Sequence, residues 1–323
     1  MERQIDPQVL AELTAALADF ADGPRPAVGD VATRRRNARR MFERLAAARP
    51  PVAGIEVVAY EATAEDGTAV PLRWYWYADA PSPGSAVLYL HGGGMIYDMN
   101  DVGALYDSVV CGYVVASRTP MLTVDYRVSP EFSHPIPLQD CYAGLGWLVE
   151  HAGELGIDPS RVAVMGDSAG GGLAAGLCLL ARDRGGPSIS QQLLIYPMLD
   201  DATSVPDPQL LPFATWTYDD NVTGWQALLG DAVGTAAVPP YAAAARAKDL
   251  SGLPATYLDV GDLDIFRDET LSYASALARA GVATELHVHP GCPHAFEMLA
   301  PGAAVSQRAI ADRVRRLAGI GAL

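Results

Sequence analysis

From residue 86 onward the chain alternates short apolar runs with longer segments that are apolar at helical spacing. The short runs are Ala86–Leu90, Met121–Asp125, Val162–Met165, Gln192–Tyr196, Thr256–Val260 and Thr284–Val288. The first two are almost wholly apolar, the pattern of parallel strands buried on both faces. Between and after them, Tyr106–Ala116, Gln139–Glu150, Ala169–Arg182, Asp268–Ala280 and Ala303–Leu317 read as helices. Strands alternating with helices predict a mostly parallel, doubly wound sheet. Upstream, Ile55–Tyr60 and Val70–Tyr77 read as a hairpin around Glu65-Asp66-Gly67. Val9, Leu10, Leu13, Leu17 and Phe20 recur at helical spacing, Pro24–Val28 interrupts, and a second helix is expected over Val31–Ala48. That second helix carries Arg34, Arg35, Arg36, Arg39 and Arg40, which read as a solvated face rather than an anion site. Asp200–Pro240 breaks the rhythm with five prolines and with Phe213, Trp216, Tyr218 and Trp225. It reads as an insertion with short helices of its own, whose aromatics either line a pocket or fasten the insertion down.

Composition narrows the partners. The 323 residues are 50% apolar and 19% charged, with 38 acidic against 23 basic side chains and a net charge of −15. A field of that sign repels phosphate backbones and anionic lipid, which argues against nucleic acid as a partner. Cys111, Cys141, Cys178 and Cys292 stand far apart with no CxxC, so neither a zinc site nor a disulfide framework is expected. Residues 1–6 lack the apolar stretch of a signal peptide. No uncharged apolar run reaches the roughly 18–20 residues of a membrane span. Together these predict a cytoplasmic enzyme that does not insert into membranes.

One constellation carries chemistry. Gly166-Asp167-Ser168-Ala169-Gly170 fits G-x-S-x-G between a buried-type strand and a long helix, the context that gives the pattern meaning. A tight turn there lifts the serine clear of the sheet, and glycines two residues to either side leave room for it. The helix start behind Ser168 offers free N–H groups to a developing oxyanion. His91-Gly92-Gly93-Gly94 follows another strand and supplies bare amides, two of which would join that of Ala169 in a three-donor oxyanion hole. A phosphate-loop reading lacks the GK[ST] ending. His91 itself reads as a residue that orients the loop. Of the six histidines, His294 lies in a loop after the strand Thr284–Val288, where an imidazole can serve both attack and departure. The carboxylate that orients it should follow the strand Thr256–Val260, where both Asp262 and Asp264 qualify by spacing. The chain order serine, aspartate, histidine is that of α/β-hydrolases.

With these motifs in place the chain resembles the hormone-sensitive-lipase family of α/β-hydrolases, the bacterial family IV carboxylesterases of the GDSAG branch. The resemblance rests on His91–Gly94, Asp125–Glu131, Gly166–Gly171, Asp264–Glu269 and His294–Phe296, in the family's order and spanning about residues 55–320. It implies an α/β-hydrolase catalytic domain over 51–323, with residues 1–50 and an insertion at 200–235 forming a helical cap. It assigns the triad acid to Asp264, beside Ser168 and His294, and the oxyanion donors to Gly92, Gly93 and Ala169. It further implies hydrolysis of short- to medium-chain acyl esters through an acyl-enzyme, with no metal or organic cofactor, and a homodimer formed through the strand Thr284–Val288. Met95, Ile265-Phe266 and Gly291-Cys292-Pro293 depart from the family's usual residues at their positions. A dedicated hydrolase of one lactone or acetylated metabolite is the rival expectation. A receptor or dehydratase-like role is disfavoured by the intact serine, acid and histidine.

Overall fold

The computed structural model describes residues 3–18, 25–78 and 84–320. Met1, Glu2, Phe20 and Pro24, which entered the reading of the N-terminal region, lie outside them. Helices α1 (Pro7–Leu17) and α2 (Val31–Ala47) precede the hairpin β1 (Ile55–Thr63) and β2 (Ala69–Tyr77). Then come β3 (Gly84–Leu90), α3 (Met99–Ser117), β4 (Met121–Val124), α4 (Ile136–Glu150), β5 (Ile157–Asp167), α5 (Ala169–Arg184) and β6 (Gln191–Ile195). The insertion contributes α6 (Tyr218–Leu229), and the chain closes with β7 (Ala255–Gly261), α7 (Arg267–Arg279), β8 (Thr284–His289), the single turn α8 (Phe296–Leu299) and α9 (Ala304–Ala318).

All eight strands join one sheet in the order β1-β2-β4-β3-β5-β6-β7-β8. Neighbours from β4 to β8 pair in parallel, while β2 is antiparallel to both β1 and β4 and so runs alone against the rest. Side-chain alternation feeds two cores. On β3, Ala86, Leu88 and Leu90 pack on the face covered by α4, α5 and α7, while Val87 and Tyr89 pack on the face covered by α3 and α9. This is the doubly wound α/β-hydrolase sheet, and β5 at its centre delivers Ser168 to the carboxyl-end edge, where such sheets place their ligands.

Helix α3 starts seven residues before its expected start because Asp98 caps it, its carboxylate accepting the amides of Asn100 and Asp101. The basic stripe of α2 corrects an expectation in part: Arg36, Arg39 and Arg40 are exposed, as a solvated face requires, but Arg34 and Arg35 are drawn into the fold. Arg34 is buried, donating to Asp220 Oδ1 on α6 at 2.8 Å and to the carbonyls of Ala27 and Pro26. Arg35 grips Glu131 in a fork and donates to the carbonyls of Ile96 and Ser129; Arg39 pairs with Asp101 at 2.9 Å. The guanidinium groups thus fasten α2 to α6, α3 and the loops beneath. At the other end, α1 buries Val9 against Cys292, Phe296 and Ala303, and the Asp6 amide donates to the Gly291 carbonyl at 2.9 Å. Among the described residues no helix is long and apolar enough to cross a membrane.

Candidate active site

Ser168 occupies the junction between β5 and α5 with φ 54° and ψ −121°, a backbone conformation rarely held by an L-residue. Tertiary bonds enforce it: the Ser168 amide donates to the Ile195 carbonyl, and its own carbonyl accepts from Met198 and Gly172. The flanking glycines are sterically required. A Cβ on Gly166 would run into the backbone of Gly170, and one on Gly170 into the Leu90 carbonyl. The end of β3 and the first turn of α5 therefore meet through backbone, which brings Gly92–Gly94 beside the serine.

His294 Nε2 lies 3.0 Å from Ser168 Oγ, and its Nδ1 lies 2.7 Å from Asp264 Oδ2. Asp264 is wholly buried, and its other oxygen accepts the Phe266 amide at 2.9 Å. The imidazole is held edge-on by Tyr196 and Phe266 with ring centroids 4.7 and 5.1 Å away, and the Thr215 hydroxyl takes the His294 carbonyl at 2.6 Å. The choice that spacing left open is settled by contacts: Asp262 accepts the Gly291 amide and pairs with Arg3, away from the imidazole. The structure thus brings Ser168, Asp264 and His294 into one hydrogen-bonded line.

One expected site residue does not join them. The Gly92 amide donates to Tyr106 Oη at 2.8 Å, so its hydrogen is already engaged within the fold. The amides of Gly93, Gly94 and Ala169 make no intramolecular hydrogen bond among the described residues, and Gly93 lines the cavity beside Ser168. Gly93 and Gly94 hold φ of +117° and +61°, conformations that suit glycine and turn the loop. His91 is buried and stacks on Tyr126 at 4.3 Å, with Nδ1 2.8 Å from the Gly92 carbonyl. Burial pushes its imidazole down to about 4, so it is a neutral prop for the loop at ordinary pH.

A cavity of about 350 Å³ opens over Ser168 and His294. Arg34, Asn37, Ala38, Met41 and Phe42 of α2 line one wall, the i, i+3, i+4, i+7, i+8 face of a helix. Trp216 and Thr215 of the insertion and Met298 and Leu299 of α8 line others. The insertion's aromatics divide between the two readings left open: Trp216 faces the cavity, whereas Tyr218 and Trp225 are buried as packing.

Several supporting groups escape motif reading because their partners are distant in sequence. Arg313 of α9 is fully buried and forks onto Asp259 of β7 while its other nitrogen donates to Glu297 of α8 at 2.6 Å. Tyr196 donates to the same Glu297 oxygen. The loops bearing Asp264 and His294 are thereby tied to one guanidinium. Glu269, in the first turn of α7, turns inward and accepts from the Leu199 and Asp200 amides and the Thr203 hydroxyl, anchoring the start of the insertion.

A central strand–serine–helix turn on a sheet of this order is the architecture of a serine hydrolase. A family profile described as alpha/beta hydrolase fold matches residues 87–298. Carboxylesterase NlhH of Mycobacterium tuberculosis is 36% identical over 243 residues, 73% of this chain and 75% of that protein. Ethyl acetate hydrolase of Pseudomonas putida is 34% identical over 247 residues, 72% and 73% of the two chains. The solved structure of a bacterial heroin esterase superposes with a TM-score of 0.86 at 34% identity, covering 98% of both chains. The chain belongs to the α/β-hydrolase family, among its hormone-sensitive-lipase-like carboxylesterases, and it is a carboxylic ester hydrolase.

Proposed function

We propose that the chain hydrolyses short- to medium-chain acyl esters by two-step acyl transfer at Ser168. His294 takes the serine proton as Oγ attacks the ester carbonyl, and Asp264 holds the imidazole in the tautomer with its proton on Nδ1 and stabilises the charged form. The amides of Gly93, Gly94 and Ala169 receive the oxyanion, each donor contributing about 3 kcal/mol of transition-state stabilisation. His294 then hands its proton to the departing alkoxide, and water repeats the sequence on the acyl-enzyme to release the acid. The observation that carries this reading is the continuous Asp264–His294–Ser168 hydrogen-bond line beside three unspent amides.

In this reading residues 1–50 and 200–235 act as the cap. It is supported by the α2 face and Trp216, which close the cavity from above and limit acyl length. The ethyl acetate hydrolase among the relatives supports a short acyl group. The chemistry described draws on the chain's own residues and requires no cofactor. The four cysteines are free, which supports a cytoplasmic setting, and the acidic balance supports a small-molecule ester over a nucleic acid as partner. A homodimer through β8 is supported by its place at the sheet edge, with Leu286 and Val288 exposed.

The test is steady-state turnover of p-nitrophenyl esters from acetate to decanoate, with Ser168→Ala as control. Turnover falling with chain length and abolished in the variant is expected. Folded protein inactive on every simple ester would reject a general esterase in favour of a hydrolase dedicated to one metabolite.

A further inference from the structure

The turn bearing Ser168 and the loop bearing the unspent amides are joined by a short polar bridge. Asp167 precedes Ser168, and Gly92 precedes Gly93. Tyr106, on α3, donates to Asp167 Oδ2 at 2.5 Å and accepts the Gly92 amide at 2.8 Å. A phenol has one proton to give and lone pairs to receive, so both bonds form at once. Tyr89 of β3 donates to the other Asp167 oxygen at 2.8 Å. Tyr89, Tyr106, Asp167 and His91 are all buried, and the His91 ring packs 5.7 Å from that of Tyr106. Gly92 fits this bridge and little else: a Cβ there would stand 2.5 Å from Asp167 Oδ2 and 2.8 Å from Tyr106 Oη.

We infer that Tyr106 and Asp167 are positioning residues that lock the oxyanion loop to the nucleophile turn through the Gly92 amide. The inference rests on the proposed roles of Ser168 and of the Gly93, Gly94 and Ala169 amides. The loop beyond Gly92 consists of two glycines at positive φ and has little stiffness of its own. Oxyanion donors act only if they are aimed before charge develops, because reorienting them during reaction gives back what they contribute. Anchoring the Gly92 amide to a group fixed against Asp167 sets that aim relative to Ser168. The steric demand for glycine at position 92 then comes from the bridge, not from a donor role of its own.

The test compares Tyr106→Phe with Tyr89→Phe. Each removes one hydroxyl from Asp167, but only the first also releases Gly92. Rates on p-nitrophenyl acetate are expressed per active site, titrated to completion with a fluorophosphonate. Tyr106→Phe is expected to lower kcat about tenfold or more while KM stays within about threefold, since a small misplacement of catalytic groups costs rate rather than binding. The Ki of an alkylboronic acid, which becomes tetrahedral on the serine, should rise in step. Tyr89→Phe should stay within about threefold of wild type in kcat. Wild-type kcat in Tyr106→Phe, or equal losses in the two variants, would overturn the inference. If Tyr106→Phe does not fold, Asp167→Ala serves instead: it removes the acceptor that fixes the Tyr106 hydroxyl, so kcat should fall, and unchanged kcat would overturn the proposal. Ser168→Ala run in parallel separates the two levels. Turnover retained in that variant would refute the nucleophile assignment itself, whereas its loss beside an unaffected Tyr106→Phe would refute the bridge alone.

Discussion

Asp167→Asn has a stability signature that can be worked out from the site. Burial pushes the Asp167 carboxyl up from 3.8 to about 6, against the pull of the Tyr106 and Tyr89 hydroxyls. The folded protein therefore holds this proton more tightly than the unfolded chain does. A shift of about two units corresponds to roughly 3 kcal/mol between the protonated and ionised forms. Its stabilising contribution is complete below pH 3.8 and is lost as the pH rises through about 6. Above that, an ionised carboxylate burdens the fold. Asparagine has the same shape and cannot ionise. The stability of Asp167→Asn relative to wild type should thus improve by roughly 3 kcal/mol between about pH 4 and pH 8. Guanidinium unfolding followed by tryptophan fluorescence at stepped pH measures this, and the other titrating groups cancel in the difference. A difference flat across that range would mean the two phenols fully offset the burial, and the reasoning would fail. A variant that is slower yet more stable at alkaline pH would show Asp167 retained for the site at the expense of the fold.

Three further outcomes are expected. Arg34→Met removes a buried guanidinium together with the bonds it gives Asp220 and the Ala27 and Pro26 carbonyls, so unfolding free energy should drop by about 3 kcal/mol. KM should rise more than kcat falls, because α2 forms a cavity wall; unchanged KM and midpoint would contradict this. Trp216→Ala should shift the preferred p-nitrophenyl ester toward octanoate and decanoate, and an unaltered chain-length profile would remove Trp216 from the acyl wall. Asp264→Asn should lower kcat by about 10⁴ at neutral pH with little change in thermal midpoint, since the imidazole loses its orienting charge; a loss under tenfold would contradict its role.

The site was legible where chemistry is local. Gly166 and Gly170 flank Ser168 because backbone approaches backbone there, and His294 sits in a loop that only a few residues define. Asp262 and Asp264 could not be separated by spacing, because what divides them is tertiary: the Gly291 amide and Arg3 take one, His294 the other. Gly92, Gly93 and Gly94 look equivalent in sequence. Which amide is spent depends on Tyr106, fourteen residues on and carried by α3. The arginines of α2 read as solvated because Asp220, Glu131 and Asp101 lie far along the chain, and a charge run shows its partners only after folding. The sheet order was accessible in kind, from alternating strands and helices. The early start of α3 was not, because it depends on a single capping carboxylate.

Covalent trapping distinguishes Ser168 from every other candidate nucleophile in the chain. The protein is incubated with a fluorophosphonate until esterase activity is gone, digested, and the adduct is mapped by mass spectrometry. After tryptic digestion one adduct per chain is expected, on the peptide Val162–Arg182 and localised to Ser168, with none in Ser168→Ala and a greatly reduced rate of formation in His294→Ala. Full inactivation with Ser168 unmodified, or an adduct at another residue that tracks the loss of activity, would contradict it.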